Sequence, residues 1–319
     1  MGKIIPLLFV IRLLFLSVET SGKKKPTVDF WPVEESIQQL FRDIRETDDS
    51  LAIGLHRQIE DLLVKTLIIP EAYKHKFDSL KMIGRINAPR KEFRIFNWNH
   101  SSLDGTYRYF ALIVFPGKNN EPNRVIRLTE TTDSIARPDQ KILSQNQWLG
   151  CLYYKIVPKR KGKDGNHYYT LLGLDMNNLQ TKKKYIEILS FDADGTPQLG
   201  APILELNKWP KHRVIFEFSA SRSMYLEYNR FRRRIEFDHL APLMPYLVGQ
   251  YEYYEPDEFR DALKFKRGQW KYIKDIETPK DKKFKKSSLP KPPRHLPKQE
   301  PLKQGTIDEP EDEEEDETP

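Results

Sequence analysis

The chain has 319 residues, of which 38% are hydrophobic and 12% aromatic, enough apolar material for a packed core and too much for a wholly disordered chain. The net charge of +7 permits contact with anionic glycans, lipid headgroups or nucleic acid, although solvated lysines account for it equally well. The single cysteine, Cys151, excludes an intramolecular disulfide, and its apolar, strand-like surroundings predict a buried thiol and not a nucleophile.

Residues 1–22 have the pattern of a secretory signal peptide. Lys3 supplies a basic start, an apolar stretch follows over residues 4–18, and small residues lead to a cleavage site near residue 22. Arg12 interrupts this apolar stretch, and the stretch is shorter than the roughly 20 apolar residues that cross a bilayer. A retained membrane anchor is therefore only the secondary interpretation. A buried helix of a cytosolic protein is a third. We therefore expect a periplasmic or secreted protein with no stable membrane span after cleavage.

Residues 23–78 predict a helical hairpin. The first helix has apolar residues at i, i+3, i+4 and i+7, the spacing that lines one helix face: Ile37, Leu40, Phe41 and Ile44. Residues 47–50 offer turn and N-cap oxygens. A second apolar stripe then begins at Leu51 and ends at Pro70 at the latest. We expect the two helices to lie against the rest of the chain.

From residue 79 to residue 277 the hydrophobic pattern repeats every two residues, which is typical of strands. Residues 93–98 and 107–115 flank a turn that contains Asp104-Gly105, a strong hairpin signal. Residues 168–174 and 185–191 are predicted to form a second pair of strands. Residues 214–218, 224–228 and 234–237 are predicted to form a third group, and residues 262–265 and 269–273 a last hairpin. The fold class is therefore mainly β (α+β), a large antiparallel barrel, sandwich or propeller-like body with an N-terminal helical hairpin.

Four stretches of the predicted β body stand out by their sequence. The chain carries YYTLLGLDMNN at 168–178, FEFSA at 216–220, FDHLAP at 237–242 and WKYIKD at 270–275. In this order, over about residues 80–276, the chain resembles a family of uncharacterised secreted proteins of Bacteroidota. The resemblance implies export and a β-rich body, and it implies no catalytic residue because the family has no assigned activity.

Residues 278–319 are predicted to be disordered on composition. A basic, proline-containing block comes first, and a run of Asp and Glu interrupted by Pro310 follows at 308–317. Such runs bury too little apolar surface to offset the conformational entropy of the chain. The basic block would suit a nucleic-acid patch in a cytosolic protein, but the leader argues against that setting. We therefore do not expect nucleic acid as a partner.

No motif in the sequence indicates a metal or cofactor site. The seven histidines are scattered, with no Cys/His cluster of zinc spacing, and glycine-rich phosphate loops are absent from the sequence. The nearest approach to a catalytic constellation is Asp238-His239 with Ser219, Ser221 and Ser223 on neighbouring predicted strands. Adjacent strand residues point to opposite faces, so Asp238 and His239 are not expected to pair with each other.

Aromatic residues offer a second candidate site. Same-face pairs such as Tyr107 and Tyr109, together with Tyr168, could line a surface on which a sugar or peptide stacks. Arg232 and Arg234, from the run at 230–234, would then lie at its edge. The alternative is that these aromatics pair across strands inside the sheets, where they are favoured for packing.

The sequence thus favours an exported envelope protein that acts as a non-catalytic binding or assembly module. Its expected partner is an envelope protein or a glycan, and no cofactor is expected. The alternative is a hydrolase that acts on envelope glycans or peptides with His239 and strand-end carboxylates. A cytosolic nucleic-acid binder is the weakest of the three hypotheses.

Overall fold

The computed structural model describes residues 28–206 and 209–276. It opens with helices α1 (Trp31–Ile44) and α2 (Asp49–Leu67), followed by a 3-10 turn at Pro70–Tyr73. The Asp48 carboxylate caps α2 by accepting a hydrogen bond from the Leu51 amide at 3.0 Å, so the sequence prediction of a hairpin with an N-cap in residues 47–50 is confirmed. The predicted leader at 1–22 and the predicted tail at 278–319 lie outside the described residues.

Fifteen strands follow in the described part of the chain. In chain order they are β1 (Gly84–Asn87), β2 (Arg94–Ser101), β3 (Tyr107–Phe115), β4 (Arg124–Leu128), β5 (Leu143–Ser144), β6 (Leu152–Lys161), β7 (His167–Asp175), β8 (Thr181–Phe191), β9 (Pro197–Leu199), β10 (Leu204–Glu205), β11 (Arg213–Ser219), β12 (Leu226–Asn229), β13 (Arg234–Pro242), β14 (Tyr254–Lys266) and β15 (Gln269–Ile273). The protein is therefore mainly β with two N-terminal helices, as the sequence predicts.

The strands form three sheets. The first has the order β1-β2-β3-β4, the second β5-β9-β8-β7-β6, and the third β10-β15-β14-β13-β12. Pairing is antiparallel except between β10 and β15. Strand β11 pairs with β8 of the second sheet, although the sequence grouped residues 214–218 with the strands that became β12 and β13. The sequence left a barrel, a sandwich and a propeller-like body as alternatives, and the structure is a layered sandwich.

The layers enclose three hydrophobic cores. The first core lies between the helical hairpin and one face of the first sheet, where Ile37 and Leu63 meet Phe96 and Trp98. The second core lies between the other face of the first sheet and the second sheet. The third core lies between the second and third sheets and contains Trp270. The chain thus stacks as helices, sheet, sheet and sheet, and the third sheet is the outermost layer of strands.

Strand β8 shows how one sheet serves two cores. Tyr185 and Leu189 face the second core, whereas Ile186 and Ile188 face the third. This alternation follows from the two-residue period of a strand. None of the helices in the described residues is both long enough and apolar enough to cross a membrane.

Candidate interaction surface

The predicted catalytic pair lies at an irregularity in strand β13. The pairing register between β13 and β14 shifts between Asp238 and Leu240, which leaves His239 at a bulge. Asp238 accepts hydrogen bonds from the Tyr225 amide at 2.6 Å and from Arg260 Nε at 3.0 Å. His239 Nδ1 lies 2.6 Å from Asp257 Oδ2 instead. The two residues therefore serve separate contacts, as adjacent strand positions should.

The serines predicted beside this pair do not complete a nucleophilic site. Ser219 Oγ and Ser221 Oγ lie 2.9 Å apart and bond to each other. Across the described residues, no hydrogen bond joins His239 to a serine. A triad requires a hydroxyl that donates to the oriented imidazole, so the arrangement supplies an oriented histidine and no nucleophile.

The five residues of the predicted aromatic surface do not share one exposed face. Tyr109 is buried in the second core, with Tyr107 packed beside it at a ring-centroid distance of 6.5 Å. Tyr168 is buried in the third core, on the opposite face of the second sheet. Arg234 Nε binds Glu236 Oε1 at 2.6 Å at the start of β13, and Arg232 is exposed in the turn before it. Tyr109 and Tyr168 thus belong to the interior, and Tyr107 is half-buried beside Tyr109.

The buried tyrosines have a defined role as donors to a buried carboxylate. Tyr109 Oη and Tyr185 Oη donate to Asp175 at 2.9 and 3.1 Å, and the Asn177 amide donates at 2.7 Å. Burial raises the pKa of Asp175 above its ordinary range, against the opposing effect of these hydrogen bonds. Three donors therefore satisfy this buried carboxylate, which orients the two tyrosines between the first and second sheets.

Cys151 lies in the same second core. The thiol is buried, which confirms the sequence prediction, and burial raises its pKa well above the ordinary value. A Cβ atom on Gly173 would come within 2.6 Å of the Cys151 sulfur, so glycine at 173 leaves room for it. A thiol held in this state is a core side chain.

A surface cleft beside α1 contains a second His–carboxylate contact. Glu34 is buried and binds His75 Nε2 at 2.6 Å through Oε1, while Oε2 accepts from the Ser79 hydroxyl. Exposed Trp31 lines the same cleft. Because the serine donates to the carboxylate and not to the imidazole, this trio lacks the order of a nucleophilic triad. The described residues also contain no group of three or more His, Cys, Asp or Glu side chains placed to hold a metal ion.

The most unusual exposed feature is the loop between β13 and β14, residues 243–253, which we call the apolar loop. Six of the sixteen exposed large apolar side chains in the described residues lie in these eleven positions. They are Leu243, Met244, Tyr246, Val248, Tyr251 and Tyr253, each between 41% and 77% exposed. Monomeric soluble proteins rarely expose contiguous apolar patches larger than a few hundred Å², and larger ones mark interaction sites.

The backbone of the apolar loop is held by its own hydrogen bonds. The Leu243 amide donates to the Tyr253 carbonyl at 3.0 Å and closes the loop, and two 3-10 turns, Pro245–Leu247 and Tyr251–Tyr253, occupy its interior. Gly249 has a positive φ of 89° and donates its amide to Tyr254 Oη at 3.1 Å. The apolar side chains are therefore presented on a preformed backbone.

Along the chain, the formal charges that flank the apolar loop are all acidic. Between Arg234 and Arg260 the chain has no lysine or arginine and six aspartates or glutamates, in a protein whose net charge is +7. Four of these acids follow closely on the loop or lie within it: Glu252, Glu255, Asp257 and Glu258. Glu255 pairs with Arg222 at 2.7 Å and Asp257 with His239, whereas Glu258 is exposed and has no ion pair within the described residues.

The apolar loop was not predicted from the sequence. The available signal was the apolar run at 243–248, which contains no charge and no two-residue alternation, combined with the absence of lysine and arginine over residues 235–259. Comparison of the chain with protein-family models, curated proteins and solved structures gives no match.

Proposed function

We propose that the protein is a non-catalytic binding or assembly module that docks a partner on the apolar loop. The partner is a protein segment that carries both basic and apolar side chains. The observation that carries this proposal is the group of six exposed apolar side chains in residues 243–253, within a stretch of chain, residues 235–259, that has carboxylates and no lysine or arginine. The predicted leader extends the proposal to an exported protein with a partner in the envelope.

Two physical arguments support the apolar loop as a docking surface. Removing apolar area from water contributes about 25 cal/mol per Å², so a partner that covers these side chains gains affinity. Because the loop backbone is already hydrogen-bonded, docking costs little ordering entropy in the loop itself.

The charge pattern supports the choice of partner. Carboxylates such as Glu258 repel anionic lipid surfaces and nucleic acid, and they attract lysine and arginine. An apolar centre with an acidic edge therefore fits a segment that has apolar side chains at its centre and basic side chains at its edge. Polar edges of this kind add specificity and association rate more than raw affinity, which the apolar centre supplies.

The test uses the full chain and two fluorescent peptides. One twelve-residue peptide alternates arginine with leucine and phenylalanine, and its partner peptide carries glutamate in place of arginine. We expect the basic peptide to bind and the acidic one not to. The loop variant, Leu243→Ser with Tyr246→Ser and Val248→Ser, should bind the basic peptide at least about tenfold more weakly, measured by fluorescence anisotropy.

The matched control is Met82→Ser with Leu103→Ser and Leu179→Ser, three exposed apolar residues from other loops. This control variant should bind like the wild type, because surface substitutions of this kind leave the fold intact. Equal weakening in both variants would contradict the proposal. Equal binding of the acidic peptide, or binding to phosphatidylserine vesicles that the loop variant abolishes, would contradict it too.

A further inference from the structure

The chain carries its own basic and aromatic segment at the turn between β12 and β13. We call residues 230–233 the arginine turn. Phe231 is 100% exposed there, with exposed Arg230 before it and exposed Arg233 after it. Neither Arg230 nor Arg233 has an ion pair within the described part of the chain.

The arginine turn is fixed in shape. The Asn229 side-chain oxygen accepts a hydrogen bond from the Arg232 amide at 3.0 Å, and Arg233 has a positive φ of 53° that reverses the chain into β13. The exposed phenylalanine is therefore held at the tip of a tight, cationic turn. This is the chemistry that the apolar loop is proposed to bind.

The turn and the loop lie at opposite ends of the same strand. The arginine turn precedes Arg234 and the apolar loop follows Pro242, the first and last residues of β13. Nine residues of strand span about 30 Å at roughly 3.3 Å per residue, so the turn of one molecule cannot reach its own loop. Contact between the two elements has to be intermolecular.

Building on the proposed function of the apolar loop, we propose that copies of this chain join head to tail. The arginine turn of one copy docks on the apolar loop of the next, with Phe231 against the apolar side chains and the arginines against the acidic edge. Two turns would repel each other through their arginines, and two loops would bring carboxylates such as Glu258 together, so a pairing of like ends lacks the charge complementarity of a turn against a loop. A head-to-tail contact leaves one turn and one loop open, and it generates chains or closed rings.

The experiment uses the full chain, its loop variant and a turn variant, Phe231→Ser with Arg230→Glu and Arg233→Glu. Mass photometry and sedimentation velocity should show wild-type particles that grow beyond two chains as concentration rises. Each variant alone should stay monomeric. An equimolar mixture of the two variants should form a complex of two chains and stop there, because it contains only one intact kind of contact.

Two further measurements sharpen the result. The control variant with serine at 82, 103 and 179 should assemble like the wild type. Raising the salt from 0.1 M to 1 M, which shortens the Debye length from about 10 Å to about 3 Å, should weaken assembly because the charged edge is screened.

Three outcomes overturn the inference: a wild type that stays monomeric, a mixture that stays monomeric, or a single variant that dimerises by itself. The proposed function is judged separately by the peptide assay. If the wild type stays monomeric but the loop variant still loses the basic peptide, only head-to-tail assembly falls. If the peptide binding is also unchanged in the loop variant, both proposals fall.

Discussion

Arg213 is a buried cation that links several strands of the second sheet. It is fully buried, and its Nε binds Glu187 Oε1 at 2.9 Å. Its other nitrogens donate to backbone carbonyls, at 2.8 Å to Leu199 and 3.1 Å to Lys141. Gly200 accommodates the guanidinium, because a Cβ there would come within 2.7 Å of it. One side chain therefore joins β8, β9, β11 and the loop before β5.

We predict that Arg213→Met lowers the free energy of unfolding by about 3–5 kcal/mol at pH 7, since it leaves Glu187 buried without its cation. Burial already raises the pKa of Glu187, and loss of Arg213 raises it further. A folded-state pKa above the unfolded value means that stability is retained at low pH and lost as pH rises. In urea titrations, Arg213→Met should therefore lower the free energy of unfolding, relative to the wild type, by less at pH 4 than at pH 7. A double variant with Glu187→Met that recovers no stability would contradict this explanation.

The faces of Tyr109 and Tyr168 show what a sequence leaves open at the residue scale. The alternation in these strands predicts strands correctly, but both faces of the second sheet are covered by other layers. Polarity therefore does not separate an inner face from an outer one, and residues 168–173 of β7 are buried without exception. For this reason, the aromatic pattern alone left a core and a binding surface as open alternatives.

At the scale of elements, helix α2 docks on the first sheet through a buried histidine. Trp98 Nε1 donates to His56 Nδ1 at 3.2 Å, and the His56 ring stacks on Phe110 with centroids 5.0 Å apart. Burial lowers the pKa of His56 to about 4, with a smaller contribution from His100. The neutral imidazole is required, because a protonated Nδ1 could not accept from the tryptophan.

A second titratable group on α2, Glu60, has the opposite effect on how stability depends on pH. Glu60 pairs with Arg127 at 3.2 Å, yet burial raises the pKa of this carboxyl to about 7. The folded state thus retains a proton on Glu60 that the unfolded state releases above about pH 4.5. For His56 the unfolded state takes up the proton, below pH 6.5. The two contributions have opposite slopes between pH 4.5 and pH 6.5.

We predict that replacing either Glu60 or His56 reveals the pH dependence of stability that the remaining group contributes. In Glu60→Gln, stability should rise with pH between 4 and 6.5 more steeply than in the wild type, with His56 alone contributing about 3 kcal/mol over that range. In His56→Gln, stability should fall as pH rises from 4.5 to 7. Urea unfolding at four pH values measures both slopes. Glu35→Gln, at an exposed position of α1, serves as the control, and an identical change there would contradict the assignment.

Elements were predicted best where local chemistry determines them. Strand β3 matches its predicted range of 107–115, because strict alternation and the Asp104-Gly105 turn are both local. Strand β11 was placed with the wrong neighbours, because its pairing with β8 joins residues about 30 positions apart and leaves no local signal. The apolar loop was missed for the related reason that exposure depends on which layer lies outermost.

At the scale of the whole molecule, the three cores are coupled because neighbouring cores share a sheet. The first sheet borders the first and second cores, and the second sheet borders the second and third. Each core also contains one fully buried tryptophan: Trp98 in the first, Trp148 in the second and Trp270 in the third. These side chains are built-in reporters of the separate layers, while Trp31 and Trp209 are exposed.

We predict that Ile188→Ala, a cavity in the third core, lowers the stability that all three tryptophans report. The expected loss is about 2–5 kcal/mol, because Ile188 is fully buried. Three background variants would each retain a different one of the three buried tryptophans as the reporter of its core. Adding Ile188→Ala should shift the unfolding transition by the same amount in all three. The reason is that β8 packs against the third core with one face and against the second core with the other, so its unfolding disrupts both cores. A Trp98 transition that stays fixed while Trp270 shifts would show instead that the hairpin and first sheet unfold as a separate unit.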